Sequence, residues 1–428
     1  MGTEINNLNC LYCNKFFYEE LWCRECDPQR LMQGWTSGNP IIDKCIKDTM
    51  YKAALDMYLE WVPFDKFTDI EKIGQGGFSE VYSATWLTVR PLIFYYGKTF
   101  KVVLKKLNGS RNISDRYITE LFLHWNLYKH TGLRFFGLTK DPETNDFMMI
   151  MQYAEYGSLK QHLSNNFNNI LWKDKVEILF FMSLRLGCVH DLGYFHKDLH
   201  SGNVLQYNES GIRLPKASIS DFGLCGPANE QNPDNKVYGV LPYVAPEVLN
   251  KEPFTTSADV YSFGVIMAEL SSGKPPFHNK RHDFNLALAI CDGHRPEFGR
   301  GTPEFYKKLA YKCMNANPNE RPTTQELFDI INIWRYSMST NRLYYGREFE
   351  KFDNIKEVLK ADFEKANEEI PNISTSFETD PDAVYTSREL TFDNPLPRPV
   401  NSSIITSYIN NDKIRGSQML ELSITQQI

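Results

Sequence analysis

Apolar and polar positions change rhythm three times along this chain. After the turn-forming Ser37-Gly38-Asn39, residues Ile42, Ile46, Ala53, Met57 and Trp61 recur at helical spacing, which predicts one amphipathic helix over 41–60. From 67 to 155 glycines alternate with short β-branched and aromatic runs such as KVVL and FMMIMQY. That pattern predicts an antiparallel sheet, interrupted by one helix at 114–127. From 158 onward helical periodicity takes over, with segments at 170–191, 257–272, 283–291, 303–315 and 323–336. A charged helix follows over 347–368, with Glu350, Asp353, Glu357 and Lys360 on its polar side. Residues 371–418 then mix Ser, Thr, Asn, Asp and Pro without periodic apolar positions, which predicts disorder. A small sheet followed by a larger helical region is an α+β layout with a seam, and seams hold ligands.

Composition adds scale. At 428 residues, with 42% hydrophobic and 14% aromatic content, the chain is long enough for more than one part and a sizeable core. Lys and Arg number 47 against 53 Asp and Glu, a net charge of −6. Ten basic and fifteen acidic residues fall within 341–428, so the last fifth carries nearly all the excess. This balance argues against nucleic acid or a membrane surface as partner. No apolar run approaches the roughly 18–20 residues of a spanning helix, and no basic segment precedes an apolar one at the N-terminus. Gly2 suits N-myristoylation, but Asn6 stands where Ser or Thr is required. A cytoplasmic or nuclear protein is expected.

Nine cysteines without a secretory signal point to reduced thiols or a metal site. Cys10-Leu11-Tyr12-Cys13 and Cys23-Arg24-Glu25-Cys26 are two C-x₂-C pairs, and each can fill two adjacent corners of a tetrahedral Zn²⁺. They predict a zinc-ribbon-like module over 1–35, although neither pair is followed by the glycine that often shapes such turns. Arg24, Arg30 and Lys15 could meet nucleic acid, but Glu4, Glu19, Glu20, Glu25 and Asp27 oppose this, so the module reads as a docking or stabilising element. The scattered Cys45, Cys188, Cys225, Cys291 and Cys313 read as small buried hydrophobes.

The chemistry lies in the middle of the chain. Gly74-Gln75-Gly76-Gly77-Phe78-Ser79-Glu80-Val81 sits between two hydrophobic runs, where backbone N–H groups can approach phosphate oxygens. Taken alone it reads better as a plain hairpin. Downstream stand Lys105 at the end of Val102-Val103-Leu104, Glu120 in a predicted helix, the loop His196-Lys197-Asp198-Leu199-His200-Ser201-Gly202-Asn203, and Asp221-Phe222-Gly223. One amide and two carboxylates on neighbouring loops form a hard-oxygen site suited to Mg²⁺ with its phosphates.

In this order and at these separations, the residues resemble a eukaryotic protein kinase over 67–336, preceded by a linker helix region at 36–66 and followed by an acidic, largely disordered tail at 337–428. The resemblance implies the bilobal protein-kinase fold and ATP with Mg²⁺ as cofactors. It implies that Lys105, paired to Glu120, grips the α- and β-phosphates. Asp198 would accept the proton of, or orient, the acceptor hydroxyl, and Asn203 and Asp221 would hold magnesium. Gly74, Gly76 and Gly77 would cover the phosphates. Ile73, Val81, Val103 and Leu205 would sandwich adenine, with Met151 as gatekeeper, backbone groups of Gln152 and Ala154 as hinge partners, and Ser158 meeting the ribose. Glu247 of Ala245-Pro246-Glu247 would pair with Arg321, and Asp259 would steady the catalytic loop. Within kinases the chain looks most like the tyrosine-kinase-like group. It resembles in particular an expanded family from arbuscular mycorrhizal fungi that shares the cysteine pairs, Trp35-Thr36-Ser37-Gly38-Asn39, Leu59-Glu60-Trp61-Val62, HKDLHSGN and Tyr385-Thr386-Ser387-Arg388.

Departures from the pattern shape the expectations. Lys197 replaces the arginine that usually precedes the catalytic aspartate, and a lysine lacks the bidentate fork that clamps a phosphorylated residue. Residues 221–247 contain no Ser or Thr, so activity is not expected to await Ser/Thr phosphorylation there; Tyr238 and Tyr243 are the hydroxyls present. His200 and Val240 stand where Ser/Thr kinases commonly carry Lys and Thr, while Pro242-Tyr243-Val244 looks like the Ser/Thr side. The expectation is a signalling kinase acting on protein Ser/Thr, with a Tyr or dual-specificity enzyme and a pseudokinase scaffold as alternatives. Partners are protein substrates and docking partners of the zinc module and tail. His124, one turn after Glu120, reads as a core histidine, and Leu87–Phe100 as a longer hairpin or a regulatory loop.

Overall fold

The computed structural model describes residues 9–10, 12–15, 23, 25–53, 58–75, 79–87, 99–107, 109–110, 113–129, 132–207, 216–227, 236–339, 347–392 and 394–410. They fall into two compact units, Met1–Tyr153 and Ala154–Ile428.

The first unit opens with helices α1 (Cys26–Leu31) and α2 (Pro40–Tyr51). Asn39 caps α2, its side chain accepting from Ile41 N at 2.9 Å and Ile42 N at 3.3 Å, and Pro40 supplies a preset first turn. The helix stops at Tyr51, short of the predicted residue 60. The chain doubles back, Leu59 N donating to Thr49 Oγ1 at 2.9 Å, and Glu60–Trp61 becomes a strand. Met57 lies outside the described residues.

The strands of this unit are β1 (Glu60–Trp61), β2 (Phe67–Gln75), β3 (Ser79–Leu87), β4 (Thr99–Leu107), β5 (Phe135–Lys140) and β6 (Phe147–Gln152), ordered β1-β5-β6-β4-β3-β2. All neighbours are antiparallel except β1, which runs parallel to β5 with Glu60 opposite Gly137. An added Cβ at Gly137 would lie 2.0 Å from Glu60 O, so this close approach needs a glycine. Helix α3 (Asp115–Lys129) and α2 share one core with the sheet. Ile42, Ile46 and Met50 pack with Leu59, Leu121, Phe135 and Met149. The segment expected to be a linker is therefore part of the unit's core. Residues 88–98 of the insertion lie outside the described residues.

The second unit contains α4 (Leu159–Asn166), α5 (Trp172–Asp191), α6 (Pro246–Leu249), α7 (Thr256–Ser272), α8 (Phe284–Cys291), α9 (Glu304–Cys313), α10 (Thr324–Met338), α11 (Asp353–Glu369) and α12 (Ser403–Asn410). Its short strands are β7 (Tyr194–Phe195), β8 (Val204–Tyr207), β9 (Lys216–Ile219), β10 (Gly226–Pro227), β11 (Val237–Gly239) and β12 (Arg388–Leu390). They pair as β8 with β9, β7 with β10 and β11 with β12. Helix α7 is buried almost throughout. At Gly264 an added Cβ would meet Cys313 Cβ at 2.7 Å, which lets α9 approach the backbone of α7.

The tail departs most from expectation. Residues 371–392 and 394–410 are described as an ordered strap on the second unit rather than a disordered end; 411–418 lie outside the described residues. Before the strap, Phe363 of α11 packs on Trp172, Phe305 and Trp334, and Asn367 accepts from Trp172 N at 2.8 Å. Further on, Phe377 stacks on His278, Val400 N donates to Cys291 O at 2.9 Å, and Asn401 Oδ1 accepts from Ala316 N at 2.8 Å. Ile405 is fully buried. These anchors are single side chains and one backbone amide docking into a surface built by other elements. They need no periodicity of their own, so a search for periodic apolar residues misses them. Among the described residues no helix is long and apolar enough to cross a membrane.

Candidate active site

In the first unit, the strand register arranges one face for chemistry. Along β4, Val102 and Leu104 turn into the core while Val103 and Lys105 take the other side, because successive side chains alternate. Lys105 lies opposite Val81 on β3 and Met149 on β6. Its Nζ reaches Glu120 Oε1 of α3 at 2.6 Å, with the two side chains 8% and 1% exposed. His124, one turn on, is buried with Nε2 3.8 Å from the same carboxylate and its ring against Phe135. Gly74 pairs with Val81 one step before the β2–β3 ladder ends at Gln75 and Glu80, and Ile73 is half exposed. Gly76 and Gly77 lie outside the described residues. Met151 is buried, and Gln152 N donates to Arg134 O at 2.8 Å.

In the second unit, Asp259 of α7 organises the loop 196–203. Its carboxylate accepts from His196 N at 2.9 Å and Lys197 N at 3.0 Å and meets His190 Nε2 at 2.9 Å. These bonds hold Lys197 at φ +66°, a left-handed conformation that costs a non-glycine residue on the order of 1–2 kcal/mol. Asp198 N donates to His196 Nδ1 at 3.3 Å, and Asn203 Nδ2 donates to Asp198 O at 2.9 Å. The Asn203 amide oxygen is thereby left to act as an acceptor. Ser220 N and Oγ both donate to Asn203 O, at 2.8 and 3.0 Å, which ties the loop to Asp221 (φ +63°) next in the chain. Leu205 bridges to Ser158. Ser158 accepts from Gln161 N at 3.3 Å as the N-cap of α4, and Ala154 O accepts from Gly157 N in the preceding turn.

Burial pushes the Asp198 carboxyl up to about 7, against the opposing influence of the Ser387 hydroxyl. Burial also drives the His200 imidazole down to about 3, so the ring beside Asp198 (Nε2 to Oδ2, 3.8 Å) is neutral. Below the loop, Tyr243 and Ser201 donate to Glu269 at 2.7 and 2.9 Å, and burial raises that carboxyl to about 7. Glu247 and Arg321 form a bidentate pair with both contacts at 2.7 Å. The Ser201–Tyr243–Glu269 cluster and the approach of Ser387 to Asp198 were not read from the sequence. Ser387 lies in a run noted only for its resemblance, nearly two hundred residues from the loop it meets.

The four N-terminal cysteines also converge. Sγ atoms of Cys10, Cys13, Cys23 and Cys26 all lie within 4.8 Å of one another, with Cys13 and Cys23 3.6 Å apart. Four thiolates about 2.3 Å from a tetrahedral centre would stand about 3.8 Å apart, so the set fits Zn²⁺. Tyr12 N and Cys26 N point at Cys10 Sγ and Cys23 Sγ at 3.5 and 3.4 Å. Amide N–H groups of Cys13 and then Tyr12 draw the Cys10 thiol down to about 7. Asn14, at φ +59°, takes the left-handed position that a glycine often fills in such turns. Asn tolerates that conformation, which is why the missing glycine does not prevent the fold.

The sequence was also compared with those of known proteins. Residues 67–331 match the family model for protein tyrosine and serine/threonine kinase. The chain is 28% identical over 305 residues to dual specificity testis-specific protein kinase 2 of Rattus norvegicus, covering 69% of this chain and 49% of that protein. It is 29% identical over 305 residues to serine/threonine-protein kinase VIK of Arabidopsis thaliana, covering 69% and 61%. To the probable serine/threonine-protein kinase gdt4 of Dictyostelium discoideum it is 28% identical over 276 residues, covering 63% and 16%. The chain thus spans less than two thirds of the length of each of these relatives. With well over half of its residues matched by the model, the chain belongs to the protein tyrosine and serine/threonine kinase family.

Proposed function

We propose that this chain transfers the γ-phosphoryl group of ATP to Ser and Thr hydroxyls of proteins. The observation that carries the reading is the buried Lys105–Glu120 pair at 2.6 Å. A lysine so fixed is already aimed, without the entropy cost of ordering it on binding. Lys105 holds the α- and β-phosphates, and Asp198 orients the acceptor hydroxyl and takes its proton. Asn203 and Asp221 would hold Mg²⁺ through the oxygen donors that a hard cation prefers, and the bound ion would supply neutralisation of phosphate charge. Gly74, Gly76 and Gly77 cover the phosphates. Ile73, Val81, Val103, Met151 and Leu205 enclose the adenine, with Gln152 and Ala154 meeting its edge through their backbones. Because Gln152 N already donates to Arg134 O, its share falls to the carbonyl. Ser158 offers its hydroxyl to the ribose while capping α4.

A Ser/Thr preference rests on Pro242-Tyr243-Val244 and on the names of the relatives, one of which is called dual-specificity. The four-cysteine cluster is read as a structural zinc site, and membership of the mycorrhizal subfamily as the explanation of its pairing with a kinase unit. The module and the strap are the surfaces on which docking partners are expected, in a reducing compartment of cytoplasm or nucleus. Incubation of the intact chain with γ-labelled ATP, Mg²⁺ and a mixed protein acceptor, followed by phosphoamino-acid analysis, tests the reading. Phosphoserine and phosphothreonine are expected. Phosphotyrosine alone, or no transfer, would overturn it.

A further inference from the structure

The strap does more than cover the second unit. Its strand β12 adds to β11 of the segment that precedes Ala245-Pro246-Glu247, in the manner of an extended peptide joining a sheet edge. The register sets Arg388 opposite Gly239 and Leu390 opposite Val237. Gly239 lies close to the loop aspartate, since an added Cβ there would stand 3.6 Å from Asp198 Oδ1. The residue just before Arg388 therefore arrives at Asp198, and that residue is Ser387. Ser387 Oγ and Asp198 Oδ1 are both buried, and neither closes a regular hydrogen bond.

The flanking residues pin this register. Tyr385 donates to Pro276 O at 2.9 Å, and its ring meets His282 edge-on with centroids 4.8 Å apart. His282 in turn bonds Val384 O through Nδ1 at 2.9 Å and accepts on its own carbonyl from Arg388 at 2.7 Å. Glu389 receives Lys236 and Tyr238 at 3.1 and 3.3 Å. Anchored on both sides, Ser387 has little freedom to leave. The neighbouring hydroxyls face elsewhere: Tyr385 is engaged with Pro276, and Thr386 is exposed.

The geometry points to Ser387 as an intramolecular phosphoacceptor, a serine that the chain's own tail presents to Asp198. This rests on the kinase reading above and deepens it, because the hydroxyl presented is a serine. In the step, Ser387 Oγ bonds to the γ-phosphorus of ATP as the bond from that phosphorus to the β,γ-bridging oxygen breaks. ADP leaves, and the hydroxyl proton passes to Asp198 and then to water. Tethering raises the effective concentration of this acceptor to the order of millimolar. Added acceptors must compete with it.

The intact chain is incubated with ATP and Mg²⁺ together with an added protein acceptor, and phosphosites are mapped by mass spectrometry over time. Phosphate is expected at Ser387 with a rate constant unchanged over about two decades of dilution, as an intramolecular step requires. Ser387→Thr should give phosphothreonine at the same position, and Tyr385→Ala should slow modification of Ser387 by about tenfold through loss of the anchor. Phosphorylation of the added acceptor with Ser387 unmodified, or modified in proportion to protein concentration, overturns the inference and leaves the kinase reading standing. Transfer to neither overturns both.

Discussion

Replacing Arg321 by Met removes one half of a deeply enclosed ion pair in the second unit. The Arg321 and Glu247 side chains are 0% and 5% exposed, joined by two contacts of 2.7 Å. Arg321 also donates to Asn315 O at 2.8 Å and Ser257 O at 2.9 Å. Arg321→Met leaves a carboxylate buried without its partner, which costs about 3–5 kcal/mol. For a unit of this size, roughly 2–4 °C per kcal/mol gives a fall of about 10 °C in apparent Tm. The informative comparison is Glu247→Leu combined with Arg321→Met. Both charges are then gone, and what remains is the loss of donors to Asn315 O and Ser257 O, about 1–3 kcal/mol. The double variant should therefore be more stable than Arg321→Met alone. Thermal unfolding followed by circular dichroism reads this directly. A double variant less stable than Arg321→Met would refute the argument that the orphaned charge dominates.

Three further outcomes are expected. Lys175 is fully buried with Nζ lacking a hydrogen-bond partner, 4.3 and 4.8 Å from the ring centres of Phe167 and Trp172, and burial lowers it from 10.5 to about 7 despite the nearby Asp174 charge. Since the folded state binds fewer protons than the unfolded one between those values, stability is lost as pH falls from 10.5 to about 7. Lys175→Met should remove that dependence and stabilise the protein at neutral pH by on the order of 4 kcal/mol; denaturant melts across this range that show no difference in slope would sink the idea. The cysteine cluster should hold one zinc per chain, released by a chelator with exposure of four reactive thiols, and Cys13→Ser should weaken it; a purified protein that takes up no zinc by elemental analysis speaks against the assignment. Gly137→Val should expel β1, because its Cβ would fall 2.0 Å from Glu60 O, and hydrogen exchange at Val62, whose amide donates to Leu138 O at 2.9 Å, should then lose protection.

What could be read from the sequence divides by physical cause. The helices now numbered α3, α5, α7, α8, α9, α10 and α11 were legible from helical patterning, because most bury a stripe and α7, buried almost throughout, is apolar along most of its length. Short chemical runs such as His196–Asn203 were equally legible, since their residue types are dictated by local function. Long-range docking was not. Glu60–Trp61 became a strand because Gly137, far along the chain, leaves room for it. The strap after α11 folds on isolated side chains, Phe377 and Tyr385 among them, whose partners His278 and Pro276 lie about a hundred residues earlier. Ser387 is hidden from sequence reasoning for the same reason: its meaning comes from the pairing of β11 with β12, and pairing partners so distant leave no local trace. The position of α4 was missed because its polar sequence, LKQHLSNN, has few apolar residues and is defined mainly by the Ser158–Gln161 capping box.

The proposed phosphoryl transfer depends on Asp198, on a loop held by Asp259. Its most direct measurement is steady-state transfer to an added Ser/Thr acceptor by the intact chain and by Asp198→Asn, with nucleotide affinity determined separately. The expected result for Asp198→Asn is a fall in kcat of roughly 10²–10⁴-fold, with ATP binding nearly unchanged if Asp198 acts on the acceptor. Equal rates in the two proteins, or a wild type that binds ATP and transfers nothing, would contradict it.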